Sequence, residues 1–315
     1  MIEKFQASML GFAIGDALAA PIEDVIREQN IDGEISVTDY LQAMPSHPIG
    51  HLSPGQYSDE TQTMLLVAES VVARKGFHID DLVQRFIDWY QTQKYRSSWR
   101  FPGNTMIKAC RKLAAGTHWS QSGFPSAGIG GSIRTLPLAL AFHRQPGVLK
   151  GSIEQSCKIT HTDPRVSGAA IVLATTIRIG LEGADAAPDA IINPAIERAQ
   201  VFAPDLPRRL KVVRDTLRLD TSIAIEQIGN TGFALDAVCC ALYLFLKFPR
   251  SFDKLVSTAA VQGGDSDAIA AMAGAMFGAF NGLAAIPDRW LAKLENVDHI
   301  KQLGCDLYRL AVPQR

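Results

Sequence analysis

Residues 263–282 read GGDSDAIAAMAGAMFGAFNG, the clearest helical stretch of the chain. After the two aspartates nearly every side chain is small or apolar, and Ala270, Gly274 and Gly278 recur at intervals of four, on one face of an α-helix. Small residues at this spacing form a groove in which the backbone of another helix can lie close. The stretch therefore predicts a tightly packed, buried helix over about 265–283, with acidic residues at its start.

Helical periodicity continues along almost the whole chain, whereas alternating apolar and polar runs longer than four residues are scarce. The sequence predicts an all-α fold, a single compact multi-helix bundle over residues 1–315. The stretches 24–57 and 183–205 carry several prolines and are predicted to be non-helical. The other predicted helices cover about 3–19, 58–74, 79–92, 104–115, 131–145, 151–158, 164–181, 206–218, 232–247, 251–260 and 287–311.

The composition is that of a globular protein without a strong charge of either sign. The 315 residues include 47% apolar side chains, and 31 Lys and Arg against 32 Asp and Glu give a net charge of −1. No general attraction to nucleic acid or to an anionic membrane is expected. No uncharged apolar run reaches the roughly 18–20 residues that a membrane-spanning helix needs, so no membrane association is expected.

Cysteine usage and the N-terminus indicate the compartment. The five cysteines are an odd number and form no CxxC pair, which disfavours a disulfide framework and a thiolate zinc site. The N-terminal residues carry early acidic side chains and lack the basic-then-apolar pattern of an export signal. A cytoplasmic protein is therefore expected.

The first acidic cluster, Ser58-Asp59-Glu60, precedes an apolar helical run at 64–67. Residues of this type before such a run most often cap a helix, because they satisfy free backbone amides and offset the helix dipole. The same oxygen atoms are also ligands that a hard cation such as Mg²⁺ or Mn²⁺ prefers. Taken alone, the cluster favours the capping interpretation.

The second acidic cluster, Asp265 and Asp267, follows Gly263 and Gly264. Two residues apart in a regular helix these carboxylates would point in different directions, but the two glycines permit a backbone that brings both to one side. A DxD segment alone is a weak metal signal, since helix caps and calcium loops share it. Both clusters together supply enough oxygen ligands for one or two cations, which is the stronger signal.

A third acidic segment is GFAIGDALAAPIE at 11–23. Its glycines, four residues apart, predict close helix packing, and Asp16 on the same helix needs hydrogen-bond partners if it is a buried structural residue. Pro21 ends the helix and leaves Glu23 on a loop. Beside a metal site, Glu23 would be a suitable proton-transfer group.

Five segments, in order along the chain, resemble the ADP-ribosylglycohydrolase family, which includes the dinitrogenase reductase-activating glycohydrolase and the inactive J1-type crystallins. These segments are GFAIGDALAAPIE at 11–23, YSDETQTMLLVAES at 57–70, GIGGSIRTLPLAL at 128–140, THTDP at 160–164 and GGDSDAIAAMAGAMFGAFNG at 263–282. The resemblance implies an all-helical fold with two adjacent Mg²⁺ or Mn²⁺ ions in a central cleft.

The resemblance also implies roles for individual residues. The implied metal ligands are Ser58, Asp59, Glu60, Asp265 and Asp267. The implied candidates for catalytic proton transfer are Glu23, Asp59 and Glu60, among which the sequence does not choose. The implied substrate-binding residues are Gly103, Asn104, Gly128, Gly130, Ser132 and His161.

This chain departs from the family pattern at three positions. Glu60 stands where the family has aspartate, which retains a carboxylate but moves it by about one methylene group. Ala268 stands where the family has threonine and removes a hydroxyl ligand, and Ile129 replaces an asparagine near the ligand. The changes predict a weaker second metal site and the loss of one polar contact.

Four further residues admit two interpretations each. His161 precedes a predicted helix start, where histidine is often structural, but the resemblance favours a place in the cleft near ADP-ribose. Arg134, in an otherwise apolar helix, is either half of a buried ion pair, which we favour, or a cation that organises the site. Trp99 and Phe101 would stack on adenine or simply pack, as loop aromatics more often do.

The sequence and the resemblance predict a metal-dependent hydrolase that cleaves the glycosidic bond between ADP-ribose and a modified protein or small-molecule acceptor. Nucleic acid is expected only as an ADP-ribosylated substrate, and arginine, serine and other acceptors stay open. The alternative is a weakened or inactive member that binds ADP-ribose or has a structural role, which the three departures favour. A metal-dependent phosphoesterase would share the carboxylates but not the ordered segments.

Overall fold

The structure is a computed structural model that describes residues 1–23 and 37–312. Within these ranges the chain forms seventeen α-helices and no β-strand, which confirms the all-α prediction. The helices are α1 (Ile2–Ala19), α2 (Asp59–Arg74), α3 (Ile79–Thr92), α4 (Asn104–Ala114), α5 (Trp119–Ser122), α6 (Gly130–Ile133), α7 (Leu136–Ala141), α8 (Pro146–Lys158), α9 (Pro164–Leu181), α10 (Pro188–Ala199), α11 (Leu206–Thr216), α12 (Thr221–Ile228), α13 (Ala234–Lys247), α14 (Phe252–Ala260), α15 (Ser266–Asn281), α16 (Asp288–Leu291) and α17 (Val297–Ala311). Three 3₁₀ turns accompany them: Ala20–Ile22, Arg96–Ser98 and Leu283–Ala285.

Helices α1 and α15 form the most extensive helix–helix contact in the described part of the chain. A Cβ atom added to Gly11 would lie 2.3 Å from the carbonyl oxygen of Gly274, and one added to Gly274 would lie 2.1 Å from that of Gly11. The two backbones are therefore in direct contact. Ser8 Oγ donates a hydrogen bond of 2.7 Å to the Ala275 carbonyl across the same crossing. The small-residue spacing of the sequence predicted this packing.

Helix α1 has no polar face because other helices surround it. Together with the turn that follows, it is long and apolar enough to cross a membrane by length and composition, but 94% of the apolar window is buried inside the protein. Its neighbours include α14, α15 and α17. A cluster of buried apolar side chains, reaching from Phe5 to Ala311, encloses it. Burial on all sides accounts for its composition.

The helix predicted over 131–145 is instead two short helices, α6 and α7, with a break at Arg134 and Thr135. Pro137 lies in the first turn of α7, where its missing N–H is harmless. A helix continuing from α6 would need that N–H and would clash with the proline ring. The break places Arg134 between two helices rather than within one.

The stretch 183–205, predicted as non-helical, contains helix α10. Pro188 begins this helix, a position that proline favours, and Pro194 lies inside it. The buried residues Ile191 and Ile192 belong to an apolar stripe that two prolines obscured in the sequence. In the other proline-containing stretch, residues 37–57 form no helix, as predicted, and residues 24–36 lie outside the described residues.

Candidate active site

Helices α2, α4, α6 and α15 begin at one cavity of about 400 Å³. At a helix N-terminus the first backbone N–H groups have no partner within the helix, and the dipole presents its positive end. The cavity therefore offers positive partial charges although few basic side chains line it. The acidic residues of its lining, called the acidic wall below, are Glu23, Asp59, Glu60, Asp265 and Asp267.

Asp16 fixes the first turn of α2. Its carboxylate accepts hydrogen bonds from the backbone N–H groups of Ser58 at 3.0 Å and Thr61 at 2.9 Å, and from the Thr61 hydroxyl at 2.5 Å. Ser58 is the N-cap, and its Oγ accepts a hydrogen bond of 3.1 Å from the Glu60 N–H. Asp16 is thus a buried structural residue and Ser58 caps the helix. This turn places Asp59 and Glu60 at the cavity.

The loop before α15 positions the second pair of carboxylates. Gly263 and Gly264 have φ values of 67° and 68°, a left-handed conformation that glycine adopts without steric cost. The carbonyl of Asn230 accepts a hydrogen bond of 2.9 Å from the Asp265 N–H, and its side-chain amide donates one of 3.2 Å to the Gly263 carbonyl. As the glycines predicted, Asp265 and Asp267 line the same cavity.

The carboxylates of the acidic wall repel one another. Burial, and then the charge of Asp267, raises the pKa of Asp59 well above its usual range. Burial and the charge of Asp59 do the same to the pKa of Glu60, and burial and Asp265 to that of Asp267. Behind the wall, burial and the charge of Asp267 raise the pKa of Asp16 to about 6. Burial and mutual repulsion thus both favour the protonated form of Asp59, Glu60 and Asp267.

The spacing of the carboxylates fits a shared cation. One oxygen each of Glu23, Asp265 and Asp267 lies within 4.8 Å of the other two. Oxygen ligands that each lie about 2.0–2.6 Å from an ion are at most roughly 5 Å apart. A divalent cation would neutralise the repulsion that raises the carboxyl pKa values, and carboxylates are the ligands that Mg²⁺ and Mn²⁺ prefer.

Helix α4 and the loop before it form a second part of the lining. Gly103 is the N-cap of α4 and Asn104 its first residue. A Cβ atom added to Gly103 would meet no atom of the described residues within 4 Å, so the space beside this glycine is open. Trp99 and Phe101 line the cavity beside it. Phe101 has a φ of 64°, a left-handed conformation that costs a non-glycine residue about 1–2 kcal/mol.

Buried polar contacts hold this loop against the acidic wall. The carbonyl of Arg100 accepts a hydrogen bond of 3.0 Å from the Asp59 N–H. The Arg100 guanidinium donates to the Tyr57 carbonyl at 2.8 Å and forms two bonds of 2.9 Å with the Glu295 carboxylate. Such two-point pairing fixes orientation as well as distance. Phe101 therefore follows a residue that is held firmly in place.

The segment from Gly128 to Gly130 forms a third part of the lining. The Ile129 N–H donates a hydrogen bond of 2.9 Å to the Gly232 carbonyl, which ties the segment to the loop before α13. A Cβ atom at Gly128 would lie 3.6 Å from His161 Nε2, so the imidazole packs against this backbone. The Ile129 side chain is 3% exposed and packs into the core, where the family's asparagine would offer a polar group.

Three residues singled out in the sequence do not line the cavity. The Ser58 hydroxyl is engaged in capping α2, as described above. Ser132, predicted to bind substrate, is fully buried, and its Oγ donates a hydrogen bond of 2.7 Å to the Val166 carbonyl. The Ala268 side chain is also fully buried. Ser132 therefore anchors α6 to α9 in this structure.

The favoured interpretation of Arg134 as half of an ion pair is wrong. The fully buried guanidinium donates hydrogen bonds to the carbonyls of Gly130 at 3.1 Å and Ser156 at 2.6 Å, and to Thr160 Oγ1 at 2.8 Å. It also lies 5.0 Å from the centre of the Phe86 ring, a cation–π contact. Carbonyl dipoles take the place of a carboxylate, and the contacts connect three segments behind the cavity.

Two functional residues escaped the sequence analysis. Gly232 lines the cavity, and Asn230 holds the loop that carries Asp265. The surrounding Gly-Asn-Thr-Gly sequence at 229–232 is a recognisable turn pattern. The pattern marks a loop but carries no information about its place beside residues 263–265, more than thirty positions away.

Fold and site together define an all-helical protein whose cleft combines clustered carboxylates with the N-terminus of α4. The chain belongs to the ADP-ribosylglycohydrolase family, whose sequence model matches residues 1–315.

Characterised relatives and a solved structure agree with this assignment. ADP-ribosylhydrolase ARH3 of Danio rerio is 29% identical over 353 residues, which cover 100% of this chain and 92% of the relative. The ADP-ribosyl-(dinitrogen reductase) glycohydrolase of Rhodospirillum rubrum is 25% identical over 301 residues, covering 93% and 90% respectively. A structure described as an ADP-ribosylglycohydrolase-related protein complex has a TM-score of 0.80 at 28% identity and covers 99% of each chain. The resemblance seen in the sequence is confirmed.

Proposed function

We propose that the protein hydrolyses the glycosidic bond between ADP-ribose and a modified protein or small-molecule acceptor, with divalent-cation dependence. The observation that carries the proposal is the meeting of five carboxylates from three separate segments at one cavity, beside the N-terminus of α4. The names of the relatives from Danio rerio and Rhodospirillum rubrum, both hydrolases of ADP-ribosyl groups, support the same reaction.

The acidic wall is proposed to hold Mg²⁺ or Mn²⁺, with two ions as the family resemblance implies. Asp59, Glu60, Asp265 and Asp267 would be the carboxylate ligands, and Ser58 could add its hydroxyl, which still has a free lone pair while it caps α2. A cation bound there would act as a Lewis acid, orienting the ribose hydroxyls and lowering the pKa of a water molecule.

The remaining lining is proposed to bind the ADP part of the ligand. The free N–H groups at the start of α4, with Gly103 and Asn104, suit the diphosphate, because helix N-termini bind anions without basic side chains. The backbone of Gly128 and Gly130 would provide further contacts to the ligand, and His161 lies beside these glycines. Trp99 and Phe101 line the same cavity, and a contact of these rings with adenine is part of the proposal. Ser132, which does not line the cavity, would stabilise the Gly128–Gly130 segment through its hydrogen bond to the Val166 carbonyl.

Hydrolysis at the anomeric carbon passes through an oxocarbenium-like state, and it needs a base for water and an acid for the leaving group. The proposed proton-transfer residue is one of Glu23, Asp59 and Glu60. Burial and neighbouring carboxylates raise the pKa values of Asp59 and Glu60, which favours proton uptake by these two groups. Glu23 comes from a different segment, the turn after α1, and lies within 4.8 Å of ligand oxygens of Asp265 and Asp267.

The test is to incubate the protein with arginine-, serine- and DNA-linked ADP-ribose in the presence of Mg²⁺ or Mn²⁺ and to measure free ADP-ribose. We expect release from at least one substrate and a loss of release when the metal is chelated. Binding of ADP-ribose without release from any substrate would favour the alternative, a member that binds but does not turn over. Phosphate release without glycosidic cleavage would indicate a phosphoesterase.

The buried Ala268 is the observation that favours this alternative, because it removes a hydroxyl next to Asp267. If a missing ligand weakens the second cation, Ala268→Thr should tighten that cation about tenfold, the effect of roughly 1.4 kcal/mol. Release of ADP-ribose at low metal concentration should rise accordingly. Metal titrations of activity, together with calorimetry, measure both quantities. Glu60→Asp should have a smaller effect, since Glu60 already supplies a carboxylate.

Ala268→Val is the matched control, because valine has the shape of threonine without its hydroxyl. Both substitutions add volume to a packed site and should cost about 1–3 kcal/mol of stability. Only Ala268→Thr should tighten the metal. Equal behaviour of the two variants would show that the missing hydroxyl is not the cause of weak metal binding.

A further inference from the structure

Three side chains behind the cavity form a continuous hydrogen-bonded series. Arg134 Nη2 donates to Thr160 Oγ1 at 2.8 Å, and Thr160 Oγ1 lies 2.7 Å from His161 Nδ1. Arg134 and Thr160 are fully buried and His161 is 4% exposed, with its exposed part at the cavity. The series therefore connects the core with the ligand side of the site.

The chemistry of the groups fixes the direction of the hydrogen bonds. A guanidinium has no acceptor atom, so Thr160 Oγ1 must accept from Arg134. The oxygen keeps a second lone pair, but Thr160 is fully buried and, among the described residues, His161 Nδ1 at 2.7 Å is its one remaining hydrogen-bond partner. The hydroxyl proton is therefore satisfied only if it is donated to Nδ1. An Nδ1 atom that accepts this proton carries none of its own. In a neutral imidazole the ring proton is then on Nε2.

The Nε2 end of the ring faces the glycine segment of the cavity. A Cβ atom at Gly128 would lie 3.6 Å from Nε2, and one at Gly130 would lie 3.7 Å from Cε1. Burial, and then the charge of Arg134, lowers the pKa of His161 to about 3. The imidazole is therefore neutral at physiological pH, and its ligand-facing nitrogen is a hydrogen-bond donor.

We infer that Arg134 and Thr160 are positioning residues that hold His161 as the Nε2–H tautomer, so that it donates a hydrogen bond to an oxygen of the bound diphosphate. The identity of the acceptor rests on the proposed function. The tautomer itself does not, since it follows from contacts within the protein. The Nδ1–H tautomer would present a lone pair to an anionic ligand and repel it.

Thr160→Val tests this inference because it keeps the side-chain shape and removes only the hydroxyl. Arg134 keeps its bonds to the carbonyls of Ser156 and Gly130, so the variant should fold. Nitrogen-15 spectra of the imidazole, assigned with His161→Gln, should show a protonated Nε2 in the unmodified protein and a mixture of tautomers in Thr160→Val. The Kd for ADP-ribose should rise about tenfold, the effect of one hydrogen bond to a charged group.

Thr160→Ser is the conservative variant, and it should restore both the tautomer and the affinity. The loss in Thr160→Val should appear in KM rather than in kcat, since the contact forms equally in the bound substrate and the transition state. A protonated Nδ1 in the unmodified protein overturns the inference, with no variant needed. So does a Thr160→Val protein with unchanged tautomer and affinity. If the unmodified protein binds no ADP-ribose, the proposed function fails, while the spectra still decide the role of Arg134 and Thr160.

Discussion

Replacement of Asp265 and Asp267 together by asparagine is expected to abolish the thermal stabilisation by Mg²⁺ or Mn²⁺ and to lower ADP-ribose release at least about 1000-fold. Cation catalysis contributes several kcal/mol to such reactions, and each 1.36 kcal/mol is about a factor of ten in rate. Binding to the native state adds about 2.7 kcal/mol of stability at a ligand concentration of 100 Kd. Scanning calorimetry with and without metal measures the loss of this metal-induced stabilisation.

The same substitution should not unfold the protein. Asparagine keeps a carbonyl oxygen where Asp267 Oδ1 accepts the Ala268 N–H at 2.6 Å. Removal of two charges also relieves part of the repulsion that raises the pKa values of Asp59 and Glu60, so we expect the metal-free variant to fold. Asp185→Asn, at an exposed loop position, is the control. It should change neither the metal-induced stabilisation nor the release of ADP-ribose. A metal-induced shift of the melting temperature that survives in the double variant would place the cation elsewhere.

The features that the sequence predicted well depend on residues close together in the chain. Ser58 capping, the small-residue face of α15 and the end of α1 near Pro21 all arise within one or two helical turns. Such local patterns determine which backbone groups need partners and which faces must be buried. Proline was the exception, because Pro188 and Pro137 can either begin a helix or end one, and only packing decides between these outcomes.

The part of the site that depends on residue type alone was predictable from the sequence. Carboxylates flanked by glycines or helix starts signal oxygen ligands wherever they lie, and the ordered family segments joined two clusters about 200 positions apart. The environment of Arg134 had no such signal. Its partners are the backbone carbonyls of Gly130 and Ser156 and the hydroxyl of Thr160, and any residue supplies a carbonyl. A buried arginine therefore suggested a carboxylate partner, whereas its hydrogen bonds in the described part of the chain go to backbone carbonyls and a hydroxyl.

Gly274→Ala is expected to destabilise the protein strongly, because it adds a methyl group at the crossing of α1 and α15. The new Cβ would lie 2.1 Å from the Gly11 carbonyl oxygen and 2.7 Å from its carbon. Backbone atoms cannot rotate away as a side chain can, so α1 and α15 must separate along their length. Inserting a methylene into a packed core costs about 1–3 kcal/mol, and more where the backbone must move. We expect at least about 3 kcal/mol, measured by urea denaturation.

A separation of α1 from α15 would also change the positions of the carboxylates in the acidic wall. Asp16 on α1 holds the turn that carries Asp59 and Glu60, and Asp265 and Asp267 lie at the start of α15. Metal-induced stabilisation should therefore weaken in any Gly274→Ala protein that still folds. Gly151→Ala is the matched control: it makes the same chemical change inside helix α8, where an added Cβ meets no atom within 4 Å. There alanine should stabilise the helix by about 0.5–1 kcal/mol. If Gly274→Ala raised the stability of the protein as Gly151→Ala does, the α1–α15 crossing would tolerate a wider spacing. Unchanged metal-induced stabilisation would then show that the acidic wall does not depend on this crossing.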